Sequence, residues 1–426
     1  MALAPTPPEP MLDWLIVGGG IHGTHLSLVL RSAGVPERAV RVLDPWDEPL
    51  QRWRELTERT GMTFLRSPGV HHVGLDPYDL FRFAGRRRAR SDEHFRGRYR
   101  RPSLAIFQAH AQALAREEGL DGLRVKGRAL GLTRILGGLR VETESGNLDA
   151  RRVVLAPGSA FPEAPPSWVP ALTEARVPVA HLFQETLSLE PFRQAAVQLD
   201  RPVLVLGGGL TAVQLALRLG REGIPVILLA RTPLRVHAFD SDPGWLGPKF
   251  LRGFWREPSP EARRALILDA RNRGSVPEWI AGALRVAAER QEVRVEVGTV
   301  RGAQPTPGGG AVLTLEQQGD TVEVAAVLLA TGWGGAPPLA SWLGETAREL
   351  GLPLSPCGFP VPQPSLLWGG GIHLSGGLAE LEVGPAARNI VGARMAGERL
   401  REFALHATVT PRLAAPPRTP GARLAG

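Results

Sequence analysis

The chain contains a single cysteine, Cys357, among 426 residues. No intrachain disulfide can form, and no Cys-x-x-Cys is available for redox relay or metal binding. Dithiol–disulfide exchange is therefore excluded as this chain's own chemistry. Long apolar runs are also missing. Glycines, charges and turn residues interrupt every candidate before it reaches the ~18 residues that span a bilayer. The opening MALAPTPPEP has neither the basic n-region nor the apolar h-region of a secretory signal. The expected address is the cytoplasm. No aromatic-rich RNA-binding signature and no zinc-finger spacing occur, so nucleic acid is not an expected partner.

What is present is an ordinary globular composition, 43% hydrophobic and 22% charged. The length calls for two or three domains. The net charge is +8, and nearly all the basic residues are arginine. One cluster stands out: Arg82, Arg86, Arg87, Arg88, Arg90, Arg96, Arg98, Arg100 and Arg101. A run of this kind is either a solvated loop or a surface for a polyanion, such as an anionic membrane or a phosphate-bearing cofactor.

An apolar segment, Leu12 to Val17, runs directly into Gly18-Gly19-Gly20-Ile21-His22-Gly23, then a helical stretch to about Ser32 and a strand, Val40 to Leu43, ending in Asp44. This is the strand–turn–helix–strand layout of a nucleotide-binding unit. In such a turn the first glycine leaves the strand sharply, the second lets a pyrophosphate approach the backbone, and the third lets helix and strand pack closely. Gly18, Gly20 and Gly23 fit those roles, with Ile21 and His22 lining the turn. The helix start offers free N–H groups and partial positive charge to phosphate. Asp44, 21 positions after Gly23, is placed to accept hydrogen bonds from an adenosine ribose.

The layout returns about 190 residues later. Pro202 to Leu206 leads into Gly207-Gly208-Gly209-Leu210-Thr211-Ala212, with alanine in the third glycine position, and Pro225 to Ala230 forms the next strand. That strand ends in Arg231 instead of an acid. A guanidinium pairs with a 2′-phosphate that a carboxylate would repel, which favours NADPH over NADH. Two dinucleotide sites in one chain imply hydride transfer between them, with FAD in the first and NADPH in the second.

Further segments resemble the two-dinucleotide-binding flavoproteins, and among them the N-hydroxylating (lysine- and ornithine-type) monooxygenases. Leu329-Ala330-Thr331-Gly332-Trp333 resembles their L/F-ATG-Y segment, with Pro338 where they carry His or Pro. Phe64-Leu65-Arg66 resembles F-L-K, and Val179-Ala180-His181 their valine-phenylalanine-histidine segment. The C-terminal GIHLSGGLAELEVGPAARNIVGARMAGERL resembles the strand and helix that close the flavin site. Together the likeness covers roughly residues 12–404. The departures are Trp333 for tyrosine, Ala325 where an acid is usual, and no carboxylate at Gly376-Gly377.

The resemblance implies an α/β fold with two Rossmann-like domains, the NADPH domain inserted in the FAD domain. Expected boundaries are 1–165 and 325–405 for the FAD domain, 166–324 for the NADPH domain, and 406–426 for a disordered tail. Thr331, Gly332, Arg66 and the pair Gly384-Pro385 are expected beside cofactor. Gly384-Pro385 would open a helix whose dipole faces the flavin. His71 and His72 read either as pocket wall or as caps of turns at Pro68-Gly69 and Asp76-Pro77. His181 is either a nicotinamide contact or an interdomain packing residue. The implied activity is hydroxylation of a small soft nucleophile such as an amine, with O₂ activated as a flavin C4a-hydroperoxide. The alternatives are an NADPH:acceptor reductase and a non-catalytic flavin-binding redox sensor. Partners are then a small-molecule substrate and O₂, with homo-oligomerisation left open.

Overall fold

The computed structural model describes residues 11–86, 91–158, 162–316, 320–337, 339 and 341–413. Its first sheet has eight strands. Leu12–Val17 lies between Val40–Asp44 and Gly146–Leu155, all parallel, with Arg124–Lys126 and Ile372–Leu374 outside them. Leu15 and Ile16 are fully buried, as a parallel strand covered on both faces requires. The helices Ile21–Ser32 and Ile390–Leu413 pack on this sheet and on each other. At Gly397 their approach leaves no room for a side chain, since a Cβ there would lie 2.7 Å from the His25 Nε2.

The second sheet is wholly parallel, in the order Val293–Val297, Val226–Ala230, Val203–Leu206, Ala326–Leu329 and Val179–His181. A three-stranded antiparallel sheet, from Val300–Pro305 to Thr321–Val324, covers one face. The α/β class with two dinucleotide-binding folds is thus as expected. The boundary at 325 falls one strand too early: Ala326–Leu329 pairs with Val203–Leu206 along its whole length. Its four side chains are all buried, so sequence alone does not say which sheet receives it. The chain crosses between domains along 162–163 and 332–333, which pair with each other.

Two further expectations change at the C-terminus. Gly384-Pro385 does not open the last helix. Gly384, at φ +89°, closes the short helix Glu380–Val383, and the next helix starts at Ile390. A left-handed glycine terminates a helix because it carries no Cβ penalty. The last helix also continues to Leu413, past the boundary at 405. Residues 1–10 and 414–426, Arg87, Arg88, Arg90 and Pro338 lie outside the described residues. Among the described residues, no helix is long and apolar enough to cross a membrane.

The second domain sends out an arm. Arg235–Val236 and Ser275–Val276 pair in parallel, and between them residues 237–274 carry the helices Pro248–Arg256 and Pro260–Ala270. Leu251, Phe254 and Ile267 of the arm share a core with Phe359 and Leu381 of the first domain. The arm therefore belongs to one domain by sequence and to the other by packing.

Candidate dinucleotide sites

Both glycine turns are built by the same steric device. Gly18 has φ +107°, and a Cβ on it would lie 2.2 Å from the Ala156 carbonyl oxygen. Gly207, at φ +150°, would meet the Ala330 carbonyl oxygen at 2.4 Å. Each turn thus presses against the end of the neighbouring strand. A Cβ on Gly23 would fall 1.8 Å from the Gly18 carbonyl oxygen, whereas Ala212 accommodates its methyl fully buried. The first turn is the tighter.

Gly20 and Gly209 sit just ahead of the helices Ile21–Ser32 and Leu210–Arg221, and neither helix start has a side-chain cap. The first-turn N–H groups of Ile21, His22, Leu210 and Thr211 therefore remain available to an anion. A Cβ on Gly20 would meet nothing within 4 Å, so that face of the first turn is open to an approaching group. These features fit a dinucleotide pyrophosphate.

Asp44 stands at the expected strand end, buried, but its carboxylate is largely used. It accepts from the Gly19 N–H, from Trp46 N at 3.1 Å and from Arg124 Nη2 at 3.2 Å. Of about four lone-pair positions on a carboxylate, one remains. Gripping both ribose hydroxyls would require Arg124 to move. Arg124 is 80 residues away in sequence, which is why the motif alone does not reveal it.

His22 sits at the junction of the glycine turn with the C-terminal elements. Its Nδ1 lies 2.8 Å from Ser375 Oγ, its ring faces Gly376, and it also approaches the Asn389 main chain, the residue before the last helix. Burial, with His25 adding to it, pushes its pKa down to about 4, so the ring is neutral at pH 7. The last helix therefore does begin beside the first turn, at Asn389-Ile390 and not at Gly384-Pro385.

Arg66 is not directed at a phosphate. Its guanidinium donates to the main-chain oxygens of His237 at 2.8 Å and Phe239 at 2.7 Å, and to Ser275 Oγ at 2.9 Å. A half-buried cation facing several carbonyls is satisfied where it is, and Arg66 acts as a strap on the arm. Arg101, from the arginine cluster, does likewise: it donates to Ala238 O at 3.1 Å and lies over the rings of Tyr99, Phe239 and Trp279. Arg82 pairs with Asp76 at 2.8 Å. At least part of the cluster thus consists of interdomain ties and local ion pairs.

Thr331 and Gly332 lie at the end of Ala326–Leu329 beside the second turn. Thr331 Oγ1 is 3.3 Å from His181 Nε2, and Trp333 stacks on Phe183 with centroids 4.2 Å apart. His181 packs at that sheet edge, its Nδ1 accepting from Phe183 N at 3.1 Å. Arg231 ends Val226–Ala230, exposed, with no ion-pair partner among the described residues. It is free to meet a ligand phosphate.

The segment around His71 and His72 favours the capping reading. His72 is fully buried, accepts from Gly74 N at Nδ1 (3.1 Å) and has Nε2 3.1 Å from Pro77 O. Its ring meets His110 edge-on at 4.9 Å. Burial pushes His25, His72 and His110 down to about 4 from 6.5. The unfolded chain takes up protons first as pH falls, so these histidines destabilise the protein between pH 6.5 and about 4 and add no further loss below. At 1.36 kcal/mol per pKa unit, each histidine contributes up to about 3 kcal/mol. Chemical denaturation at pH 7, 6, 5 and 4.5 will show this fall. His110→Phe, which removes one of the seven histidines lowered in this way, will make the profile shallower, and an unchanged slope would contradict the assignment.

Two residues to which the sequence analysis gave no role are Glu380 and Glu382. Both are buried. Glu380 pairs with Arg388 at 2.8 Å and with Arg264 of the arm. Glu382 pairs with Arg399 and with Arg263 of the arm, each at 3.2 Å. Burial raises the Glu382 pKa against the pull of both arginines. The usable signal was the adjacent Arg263-Arg264 on a helix otherwise suited to packing.

No family model matches the chain, and a search of curated proteins finds no match. Solved structures do match. The ornithine hydroxylase from Pseudomonas aeruginosa superposes with a TM-score of 0.71 at 17% identity, covering 94% of this chain and 100% of that one. The FAD-bound cadaverine monooxygenase of desferrioxamine biosynthesis from Erwinia amylovora gives 0.70 at 15% identity, over 98% and 100%. A bacillithiol disulfide reductase from Bacillus cereus gives 0.57 at 16%, over 93% and 100%. The fold is that of the two-dinucleotide-binding flavoproteins. Within that class, the amine-hydroxylating structures superpose better than this reductase.

Proposed function

We propose that the protein is an FAD- and NADPH-dependent monooxygenase that hydroxylates a small soft nucleophile such as an amine. The observation that carries the reading is the pair of glycine turns, each wedged against the end of the neighbouring strand and each opening an uncapped helix. The better superposition on amine hydroxylases supports the choice of reaction. The lone Cys357 argues against a disulfide substrate exchanged with the chain's own thiols.

In this reading Gly18, Gly20, Ile21, His22 and Gly23 hold the FAD pyrophosphate, and Asp44 contributes one acceptor to the ribose. Gly207, Gly209, Leu210, Thr211 and Ala212 hold the NADPH pyrophosphate, with Arg231 on the 2′-phosphate. Bound flavin would supply hydride acceptance and oxygen activation. The chain's own part is to orient both dinucleotides and keep water out. The arm serves that end, closing on the first domain through Leu251, Phe254 and Ile267. The neutral His22 ring keeps Ser375 and the foot of the last helix against the first turn.

The test is anaerobic NADPH titration of FAD-loaded protein, followed by labelled O₂ in the presence of a panel of primary amines. The expected result is bleaching of the flavin and label in a hydroxylamine product. Bleaching with peroxide release and no labelled product from any amine would favour the acceptor reductase. No bleaching at all would sink the two-dinucleotide mechanism and bring the redox-sensor reading forward.

A further inference from the structure

The arm 237–274 touches the surroundings of both glycine turns. Its C-terminal end lies over the second: the Gly274 Cα would sit 3.6 Å from a Cβ placed on Gly209. Its middle is latched to the first domain by Arg263 and Arg264, which pair with the buried Glu382 and Glu380. Those glutamates ride on the segment 376–389, anchored at one end by Ser375, whose Oγ lies 2.8 Å from His22 Nδ1 in the first turn, and at the other by the last helix, which packs on Ile21–Ser32. A continuous path of packed and ion-paired groups therefore runs from one turn to the other. Trp255 of the arm adds a hydrogen bond, its Nε1 donating to Glu382 O at 3.0 Å.

The latch has a feature that a merely stabilising ion pair does not need. Each glutamate holds one arginine from its own domain, Arg388 or Arg399, and one from the arm. With the arm released, neither buried carboxylate is left unpaired, so docking and release need not strand a charge. Such a contact suits a two-position element. A ligand shifts such an equilibrium only by its difference in affinity between the two positions. A dinucleotide on the first turn would rest against the elements that hold 376–389 in place, and a docked 376–389 presents the glutamates to the arm.

We infer that the arm couples the two nucleotide sites, so that filling the first tightens binding of a 2′-phosphorylated adenosine diphosphate at the second. The inference rests on the flavoprotein reading above. By linkage the effect is reciprocal: the second ligand tightens the first by the same factor.

The experiment uses 2′-phospho-ADP-ribose, which lacks nicotinamide and so cannot stack on a flavin. FAD binding to the apoprotein is measured first by fluorescence quenching, and the probe is then titrated calorimetrically into apo and FAD-loaded protein. For the natural chain, FAD is expected to lower the probe Kd about 10-fold, within the usual range of coupling between sites. In Arg263→Met/Arg264→Met, FAD should still bind and the two probe Kd values should converge. Each glutamate keeps Arg388 or Arg399 in that variant. Should it not fold, Arg264→Met alone is expected to reduce the coupling. Equal probe affinity for apo and loaded natural protein would overturn the inference while leaving the flavoprotein reading intact. Undiminished coupling in the variant would overturn the route through the latch. If FAD does not bind in the first titration, the flavoprotein reading itself fails, and the coupling with it.

Discussion

Gly23→Ala will leave the protein unable to retain FAD. A methyl at that position lands 1.8 Å from the Gly18 carbonyl oxygen and 2.9 Å from its carbon. Both atoms are backbone, so no side chain can swing aside. Gly18 cannot yield either, because it is held at φ +107° against the Ala156 carbonyl. The helix Ile21–Ser32 must therefore back away from its strand, carrying its free N–H groups off the pyrophosphate. Distortions of this size cost several kcal/mol, which corresponds to a loss of affinity of at least about 100-fold. Absorbance at the flavin bands after purification and a fluorescence titration of apoprotein will both report it. Circular dichroism checks that the chain is folded. A variant that keeps stoichiometric FAD would show that this turn does not hold the cofactor.

Arg231→Glu is expected to reverse the preference between NADPH and NADH. Arg231 ends its strand exposed and without an ion-pair partner among the described residues, so its loss should not move the melting temperature. A hydrogen bond to a charged group contributes about 1.5–3 kcal/mol, and the new carboxylate would add repulsion toward the 2′-phosphate. The ratio kcat/KM for NADPH should fall about 10- to 100-fold, while that for NADH holds or rises. Equal losses with both coenzymes would show that Arg231 serves the turn and not the phosphate. Arg235, also exposed nearby, should account for any residual preference.

How much of this was legible before the structure follows from how local each determinant is. The glycine turns carry local signals, the glycines themselves and strands whose apolar side chains are contiguous in sequence, although the strand ends they press on, Ala156 and Ala330, are remote. Both turns stand where the motifs put them. The partners that Arg66 and Asp44 hold were not legible because they are remote: the carbonyls of 237–239 for one and Arg124 for the other. Gly384-Pro385 suited a helix start by residue type alone, but a glycine at φ +89° ends the preceding turn instead. The strand Ala326–Leu329 went to the wrong domain because a buried parallel strand carries the same apolar pattern in either sheet. Glu380 and Glu382 carry no local signal of their role. Their true partners come from a helix over 100 residues earlier.

Apart from the ion-paired latch, several ties between the domains share a chemical asymmetry. Arg59 donates to the main-chain oxygens of Leu182 and Gln184, Arg66 to those of His237 and Phe239, Arg101 to that of Ala238, and Arg218 to those of Glu58 and Arg59. In each, one partner is a particular side chain and the other is a peptide group that every residue possesses. Drift in the accepting loops therefore leaves these bonds intact so long as the backbone path is kept, while the donating arginines have no substitute. A lineage could vary the exposed positions of these loops, such as Gln184 and Ala238, reshaping the surface between the domains for new ligands without disturbing these bonds. The abundance of arginine in this chain would then be the mark of a joint that tolerates change on one side only.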